Sequence, residues 1–90
     1  MRGIREKVAD TLDLNKEIIL DVPKITFIGN RELTIENYKG IIEYTEATIR
    51  VNTPSSVLRL TGKDLEIKTI TQDMLYITGS IKSFEFNKNI

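Results

Sequence analysis

The fold is decided by residues 58–79, LRLTGKDLEIKTITQDMLYITG. Apolar and polar residues alternate here, and each alternating run is followed by residues that favour turns, Gly62-Lys63-Asp64 and then Thr71-Gln72-Asp73. A period of two is typical of a β-strand with one buried face. The pattern extends in both directions, in these apolar pairs: Ile25 and Phe27, Leu33 and Ile35, Ile42 and Tyr44, Ile49 and Val51, Leu58 and Leu60, Leu65 and Ile67, Leu75 and Ile77, and Phe84 and Phe86.

The spacing of these runs indicates how the strands are connected. A new run begins about every 8–10 residues, which leaves no room for the crossover helix of a parallel sheet. The sequence therefore predicts a mainly β fold, an antiparallel meander of about 7–8 short strands that forms a small sandwich or roll. Leu58–Gly62 and Leu75–Gly79 repeat one pattern 17 residues apart, and Ile25–Gly29 is a looser third copy. We expect these glycines to end strands or to form hairpin turns.

The chain before the strands has a different pattern. Ile4, Val8 and Leu12 recur every four residues, which predicts a short amphipathic helix from Gly3 to Leu14. Because a helix of about 12 residues is marginal in water, it needs a docking surface: the rest of the domain, which we favour, another subunit or a membrane. Residues 1–23 are thus predicted to be a helix and connector, and residues 24–90 a β-domain, within a single domain overall.

Composition limits the classes of function. The 90 residues include 13 basic and 13 acidic ones, so the chain lacks the basic excess typical of nucleic-acid binders, and a nucleic-acid partner is disfavoured. There is no apolar stretch of transmembrane length and no signal-peptide pattern, so we expect a cytoplasmic protein.

The residues that usually carry catalysis are missing. The chain has no His and no Cys, and its five glycines form no phosphate-binding loop. Carboxylates in the predicted strands alternate with apolar residues, which is typical of a solvated sheet face, and no loop has calcium-site spacing. We expect no enzyme activity, no catalytic residues, no cofactor and no metal.

Tyrosines and arginines in the strands provide the candidates for a contact surface. Of the six aromatic residues, four follow the apolar phase and are predicted to be core: Phe27, Tyr44, Phe84 and Phe86. The candidate partner-contact residues are Asn37, Tyr38, Arg50 and Tyr76, because tyrosine and arginine are enriched in protein interfaces.

Two segments carry a family resemblance: residues 21–29, DVPKITFIG, and residues 35–44, IENYKGIIEY. Together with the later IRV, LTG, LEIK and ITG runs, they resemble the YqfC branch of the YabP/YqfC sporulation-protein family over about residues 3–86. The branch often has His where Tyr38 stands and Phe where Tyr44 stands, so no role for an imidazole at position 38 carries over.

The resemblance implies a biological setting. It implies an endospore-forming bacterium of the Firmicutes, expression in the mother cell during sporulation, a role in building the spore envelope, and a membrane protein encoded nearby as the candidate partner. The family supplies no catalytic residues. Our hypothesis is a non-enzymatic assembly or adaptor protein that acts by protein–protein contact in the mother-cell cytoplasm, with self-association left open.

Two alternatives remain. One is a small β-barrel that binds single-stranded nucleic acid, which requires Arg50, Arg59, Lys68 and Tyr76 to converge on one face. The other is a scaffold attached peripherally to the forespore membrane through Ile4, Val8 and Leu12.

Overall fold

Alternating apolar residues form a single six-stranded antiparallel sheet in the computed structural model, which describes residues 20–88. The spatial order is β1-β2-β6-β5-β4-β3, and every neighbouring pair is antiparallel. The predicted mainly β class is therefore confirmed, whereas the predicted helix with Ile4, Val8 and Leu12 lies outside the described residues. The strands are β1 Lys24–Ile28, β2 Glu32–Glu36, β3 Gly40–Tyr44, β4 Thr48–Asn52, β5 Val57–Ile70 and β6 Met74–Asn87.

Two of these strands are much longer than the sequence pattern predicted. β5 and β6 have 14 residues each, because Gly62-Lys63-Asp64 and Gly79-Ser80 lie inside them and not in turns between strands. The described chain thus has six strands and not seven or eight. Asp64 has the positive φ of a turn residue, 55°, but the strand pairing resumes beyond it. The register of β5 against β6 shifts on either side of these residues, which marks β-bulges that bend both strands.

The bend divides the sheet into two parts. Half-sheet A contains β1, β2, residues 74–78 of β6 and residues 66–70 of β5. Half-sheet B contains β3, β4, residues 57–61 of β5 and residues 83–87 of β6. Buried residues from both halves belong to one apolar cluster, so the sheet folds over and encloses its own core.

Glycine is required where the backbones of the two long strands approach closely. A Cβ on Gly62 would overlap the backbone oxygen of Ser80, and a Cβ on Gly79 would lie 2.7 Å from that of Asp64. Gly79 also has a φ of 142°, which disfavours other residues. The two glycines therefore allow a backbone approach that any side chain would prevent.

The tips of the two short hairpins complete the backbone hydrogen bonds at the bulges. The amides of Gly62 and Leu65 donate to the carbonyl oxygens of Ala47 and Glu46, at 3.0 and 2.9 Å. On the other strand, the amides of Gly79 and Ile81 donate to those of Arg31 and Asn30, at 3.1 and 2.8 Å. Each bend is thus held by a hairpin tip.

Threonine begins three of the connections between strands. The hydroxyl oxygens of Thr45, Thr53 and Thr71 each accept a hydrogen bond from the amide three residues later, at 2.9, 3.0 and 3.0 Å. The amide of each threonine also donates to the carbonyl three residues later. Such threonine turns reverse the chain without glycine.

Most of the core consists of four rows of side chains that run across the strands, and Leu65, which is 2% exposed, lies in the core outside these rows. Residues paired directly across neighbouring strands share a face, so the pairings define each row. The central two members of every row are at most 2% exposed, whereas the end members lie on sheet edges and are half-buried or exposed. The rows are Phe27-Leu33-Ile77-Ile67 and Ile25-Ile35-Leu75-Ile70 in half-sheet A, and Ile41-Val51-Leu58-Phe86 and Tyr44-Ile49-Leu60-Phe84 in half-sheet B.

One predicted pair of residues is split by a bulge. Ile42 was expected to share the buried face with Tyr44, but the register of β3 shifts between Ile41 and Glu43. Ile41 therefore takes the position opposite Val51, and Ile42 is 45% exposed. The period-two rule fails here because a bulge adds one residue to the strand.

The close approach of the β5 and β6 backbones at Gly62 leads to a first prediction. Gly62→Ala should destabilise the fold by about 2–3 kcal/mol, since overpacking against backbone cannot relax, and thermal unfolding followed by circular dichroism should show a melting temperature lower by about 8 °C or more. Gly40→Ala is the matched control, because a Cβ there meets nothing within 4 Å. Equal effects of the two substitutions would contradict the close backbone approach at Gly62.

Candidate functional site

Asn37 and Tyr38, two of the predicted contact residues, lie in the connection between β2 and β3. Asn37 has a φ of 64°, its amide donates to the carbonyl of Asp73 at 2.8 Å, and its side-chain nitrogen donates to the carbonyl of Val22 at 2.8 Å. The Tyr38 hydroxyl donates to the carbonyl of Thr71 at 2.6 Å, and its ring packs against the core. Both side chains thus join this connection to neighbouring segments of the domain.

Arg50 lies on the outer face of half-sheet B, in a row of four charged side chains. The row is Glu43, Arg50, Arg59 and Glu85, one residue from each of the four strands of half-sheet B. Arg50 pairs with Glu43 at 2.7 Å and Arg59 with Glu85 at 3.1 Å. All four side chains are 40–49% exposed, so each pair contributes at most about 1 kcal/mol to stability. The row orients the two arginines side by side and neutralises both.

Tyr76 lies on the outer face of half-sheet A, beside Thr34 of β2. Its hydroxyl donates to Oε1 of Glu32 at 2.8 Å. This hydrogen bond to the carboxylate raises the pKa of Tyr76 above its ordinary value, and desolvation and the negative charge of Glu32 act in the same direction. The bond to Glu32 therefore favours the protonated hydroxyl.

The predicted contact residues do not form one site. Arg50 lies on the outer face of half-sheet B and Tyr76 on that of half-sheet A. Asn37 and Tyr38 lie in the connection between β2 and β3. The set required for single-stranded nucleic acid is divided in the same way: Arg50 and Arg59 are ion-paired on half-sheet B, and Lys68 pairs with Glu66 at 3.3 Å on half-sheet A. No structural observation therefore favours the nucleic-acid alternative.

An aromatic patch, which we define as Phe27, Phe84 and Phe86, borders one opening of the folded sheet. The rings of Phe27 and Phe84 meet edge to face with centroids 5.3 Å apart, and those of Phe84 and Phe86 do so at 5.2 Å. Phe27 is 44% and Phe86 62% exposed, so the prediction that both are core is wrong in its degree of burial. Their alternation was correct, but they end their rows on strands that have no further neighbour.

The opposite opening, between β3 and β5, is closed differently. The hydroxyl oxygen of Tyr44 accepts a hydrogen bond from the amide of Ile67 at 2.9 Å. Tyr44 was also predicted to be core and is 48% exposed. It occupies a main-chain donor of β5 that would otherwise face outward, whereas the aromatic patch is held by ring contacts alone. The two openings therefore differ in what they offer a partner.

The rest of the described surface offers little chemistry. In the part of the chain that the structure describes, no three acidic side chains are grouped so that they could hold a metal ion. Residues 20–88 also contain no helix long and apolar enough to cross a membrane. The described residues thus define an all-β domain whose distinctive surface is an exposed aromatic patch beside a sheet edge.

Comparisons with known proteins place this domain in a family. The model of the YabP family matches residues 20–90, which include every strand described above, and the chain belongs to this family. The uncharacterized protein YqfC of Bacillus subtilis (strain 168) is 27% identical over 70 residues, which cover 78% of this chain and 75% of that protein. No solved structure matches the chain. The resemblance to the YabP/YqfC family is therefore confirmed.

The bond between Tyr76 and Glu32 leads to a second prediction. Because the pKa of Tyr76 is raised, its contribution to stability is fully present below the ordinary tyrosine pKa of about 10 and is lost as the pH rises through the higher pKa of the folded protein. In a titration followed by tyrosinate absorbance, Glu32→Gln should lower the pKa of Tyr76 towards the ordinary value. Tyr76→Phe is the control that identifies its phase, and superimposable curves for Glu32→Gln and the unmodified protein would exclude the bond.

Proposed function

We propose that the chain is a non-enzymatic assembly or adaptor protein of spore-envelope formation, which acts in the mother cell by binding a protein partner. Its family membership supports the setting, through the sporulation role that the resemblance implies. The observation that carries the proposal is the aromatic patch, because contiguous exposed aromatic side chains beside a sheet edge are typical of a protein-contact surface.

The composition of the chain supports a non-enzymatic role. The sequence contains neither His nor Cys, so the commonest general base and the strongest nucleophile are missing. Glu43 and Glu85 are paired with arginines, and Glu32 accepts the hydroxyl of Tyr76. These carboxylates therefore have structural partners and do not face each other as an acid and base pair would.

The exposed apolar residues support contact with a protein. Single exposed apolar side chains are normal on any surface, but Phe27, Phe84 and Phe86 contact one another and continue directly from buried rows. A partner that covers them would extend the existing core. The partner we propose is a protein associated with the forespore membrane, encoded near this chain, as the family resemblance implies.

A third prediction concerns the setting. Deletion of the gene in the producing organism should reduce heat-resistant spores, and expression from a promoter active only in the mother cell should restore them. Phe86→Ser, expressed in the same way, should restore fewer spores because it removes the most exposed ring of the patch. Ile42→Ser is the matched control, since Ile42 is exposed on the distant edge strand β3.

Three results would count against the proposal. Unchanged spore numbers after deletion would remove the sporulation role. Restoration by forespore expression alone would remove the mother-cell role, and equal restoration by Phe86→Ser and the unmodified chain would remove the patch.

A further inference from the structure

We propose that the outer edge along residues 82–88, which are the last part of β6 and the residue after it (the β6 edge), accepts an extended strand of a different protein. That strand would place apolar side chains opposite Phe84 and Phe86, a basic side chain opposite Glu85, and acidic side chains opposite Lys82 and Lys88. This inference rests on the proposed function and specifies the chemistry of its partner.

Part of the β6 edge is a regular free edge of the described sheet. Residues 83–87 pair with residues 57–61 of β5 without a register shift, and no described strand pairs with them on the other side. Among residues 20–88, the tip of the β1–β2 hairpin bonds the amide of Ile81 there, and Phe27 of β1 contacts the ring of Phe84. The backbone donors and acceptors of the β6 edge are therefore available to an added strand, which is how many domains bind extended peptides.

The other three edges carry features that oppose strand addition. β1 pairs with β2 over five residues without a register shift, but it lies between Pro23, which lacks an amide hydrogen, and Gly29, whose φ is 53°. β3 contains the bulge at Ile42, and the free edge of β5 has its Ile67 amide bonded to Tyr44 and a further register shift beyond it. Short strands, prolines and bulges are the usual means of protecting a sheet edge.

An added strand would complete the aromatic patch. Phe84 and Phe86 end the two rows of half-sheet B, so a fifth strand would contribute the next member of each row. Its apolar side chains would contact Phe86, which is 62% exposed, and lie beside Phe27 across the opening. Main-chain bonds and the burial of these rings would thus form together.

The charges on the β6 edge select the occupant. Residues 82–88 read Lys-Ser-Phe-Glu-Phe-Asn-Lys, which has the same charge pattern in both directions. In an antiparallel pair of two copies, the register that places Phe84 opposite Phe86 also places Glu85 opposite Glu85 and Lys82 opposite Lys88. Like charges directly opposite each other destabilise a strand pair. In that register the edge therefore disfavours a second copy and favours a strand with the inverse charges.

These charges remain available for a partner. Lys82 and Lys88 are exposed and form no ion pair with any other residue from 20 to 88. Glu85 is 49% exposed although it bonds Arg59. Three charged residues of alternating sign thus lie on either side of Phe84 and Phe86 along one free edge: Lys82, Glu85 and Lys88.

The test uses the full chain and two labelled peptides. One has the central sequence Glu-Thr-Val-Lys-Val-Thr-Glu, and the other has the inverse charges, Lys-Thr-Val-Glu-Val-Thr-Lys. Fluorescence anisotropy should show the first peptide binding at least about tenfold more tightly, because three cross-strand pairs change from attractive to repulsive. Amide chemical shifts should change at residues 82–88 and at Phe27.

Matched variants separate the edge from general effects. Lys82→Glu/Lys88→Glu should reduce the discrimination between the peptides, and Lys39→Glu/Lys63→Glu, with the same change of net charge at exposed lysines elsewhere, should preserve it. Phe86→Ser should weaken binding of the first peptide, and Ile42→Ser should not. Unchanged far-ultraviolet circular dichroism would show that each variant is folded.

Each contrary outcome overturns a defined part of the inference. Equal affinity for the two peptides would exclude selection by charge, and shifts confined to another edge would exclude the β6 edge. A dimer detected by light scattering, whose formation shifts the amide signals of residues 82–88, would make a second copy the occupant. Each of these results leaves the proposed function standing if deletion of the gene still reduces heat-resistant spores. If deletion leaves spore numbers unchanged but the chain still selects between the peptides, the proposed function is removed and the edge is retained.

Discussion

The architecture depends on the close approach of the β5 and β6 backbones at Gly62 and Gly79. Without a side chain at either position the two backbones approach closely enough for both strands to bend. Because of the bend, one sheet supplies both walls of the core, and apolar rows that would face solvent on a flat sheet face each other. The folded single sheet thus lets six strands enclose a core without a second sheet.

The repeat 17 residues apart in the sequence corresponds to a repeat in the structure. Leu58 and Leu60 are buried immediately before Gly62, and Leu75 and Ile77 are buried immediately before Gly79. Each half-sheet has the same order, a short hairpin, then the first part of one long strand, then the last part of the other. In each half a hairpin tip also supplies carbonyl oxygens to a bulge. The two halves are thus built on one plan.

Alternation was sufficient to predict the strands and the centre of the core, because period two is a local property. It could not distinguish a bulge from a turn at Gly62. Asp64 has the backbone conformation of a turn in either case, and the difference comes from hydrogen bonds to Ala47 and Glu46 on a distant hairpin. Whether an apolar residue is buried also depends on strand order. Phe86 follows the same pattern as Leu58, but Phe86 ends its row and Leu58 has a neighbour on both sides.

The candidate site was harder to predict for the same reason. Arg50 and Tyr76 are both outward residues of strands, and only the order of the strands shows that they lie on the outer sides of different half-sheets. The threonine turns and the alternating charges of residues 82–88 were visible in the sequence, but the charges have meaning only once β6 is known to have a free edge.

The charge pattern also explains how an open edge can be tolerated. With a net charge of zero the chain has little overall repulsion between copies, so protection against edge-to-edge pairing has to be local. Bulges and proline provide it on the other edges, at the cost of regular pairing with any strand. On β6, residues 83–87 keep regular pairing, and the order Lys-Ser-Phe-Glu-Phe-Asn-Lys of residues 82–88 makes two identical edges repel when Phe84 lies opposite Phe86. An edge of this kind opposes its own copy and remains open to a complementary strand, a combination that bulges and proline cannot provide.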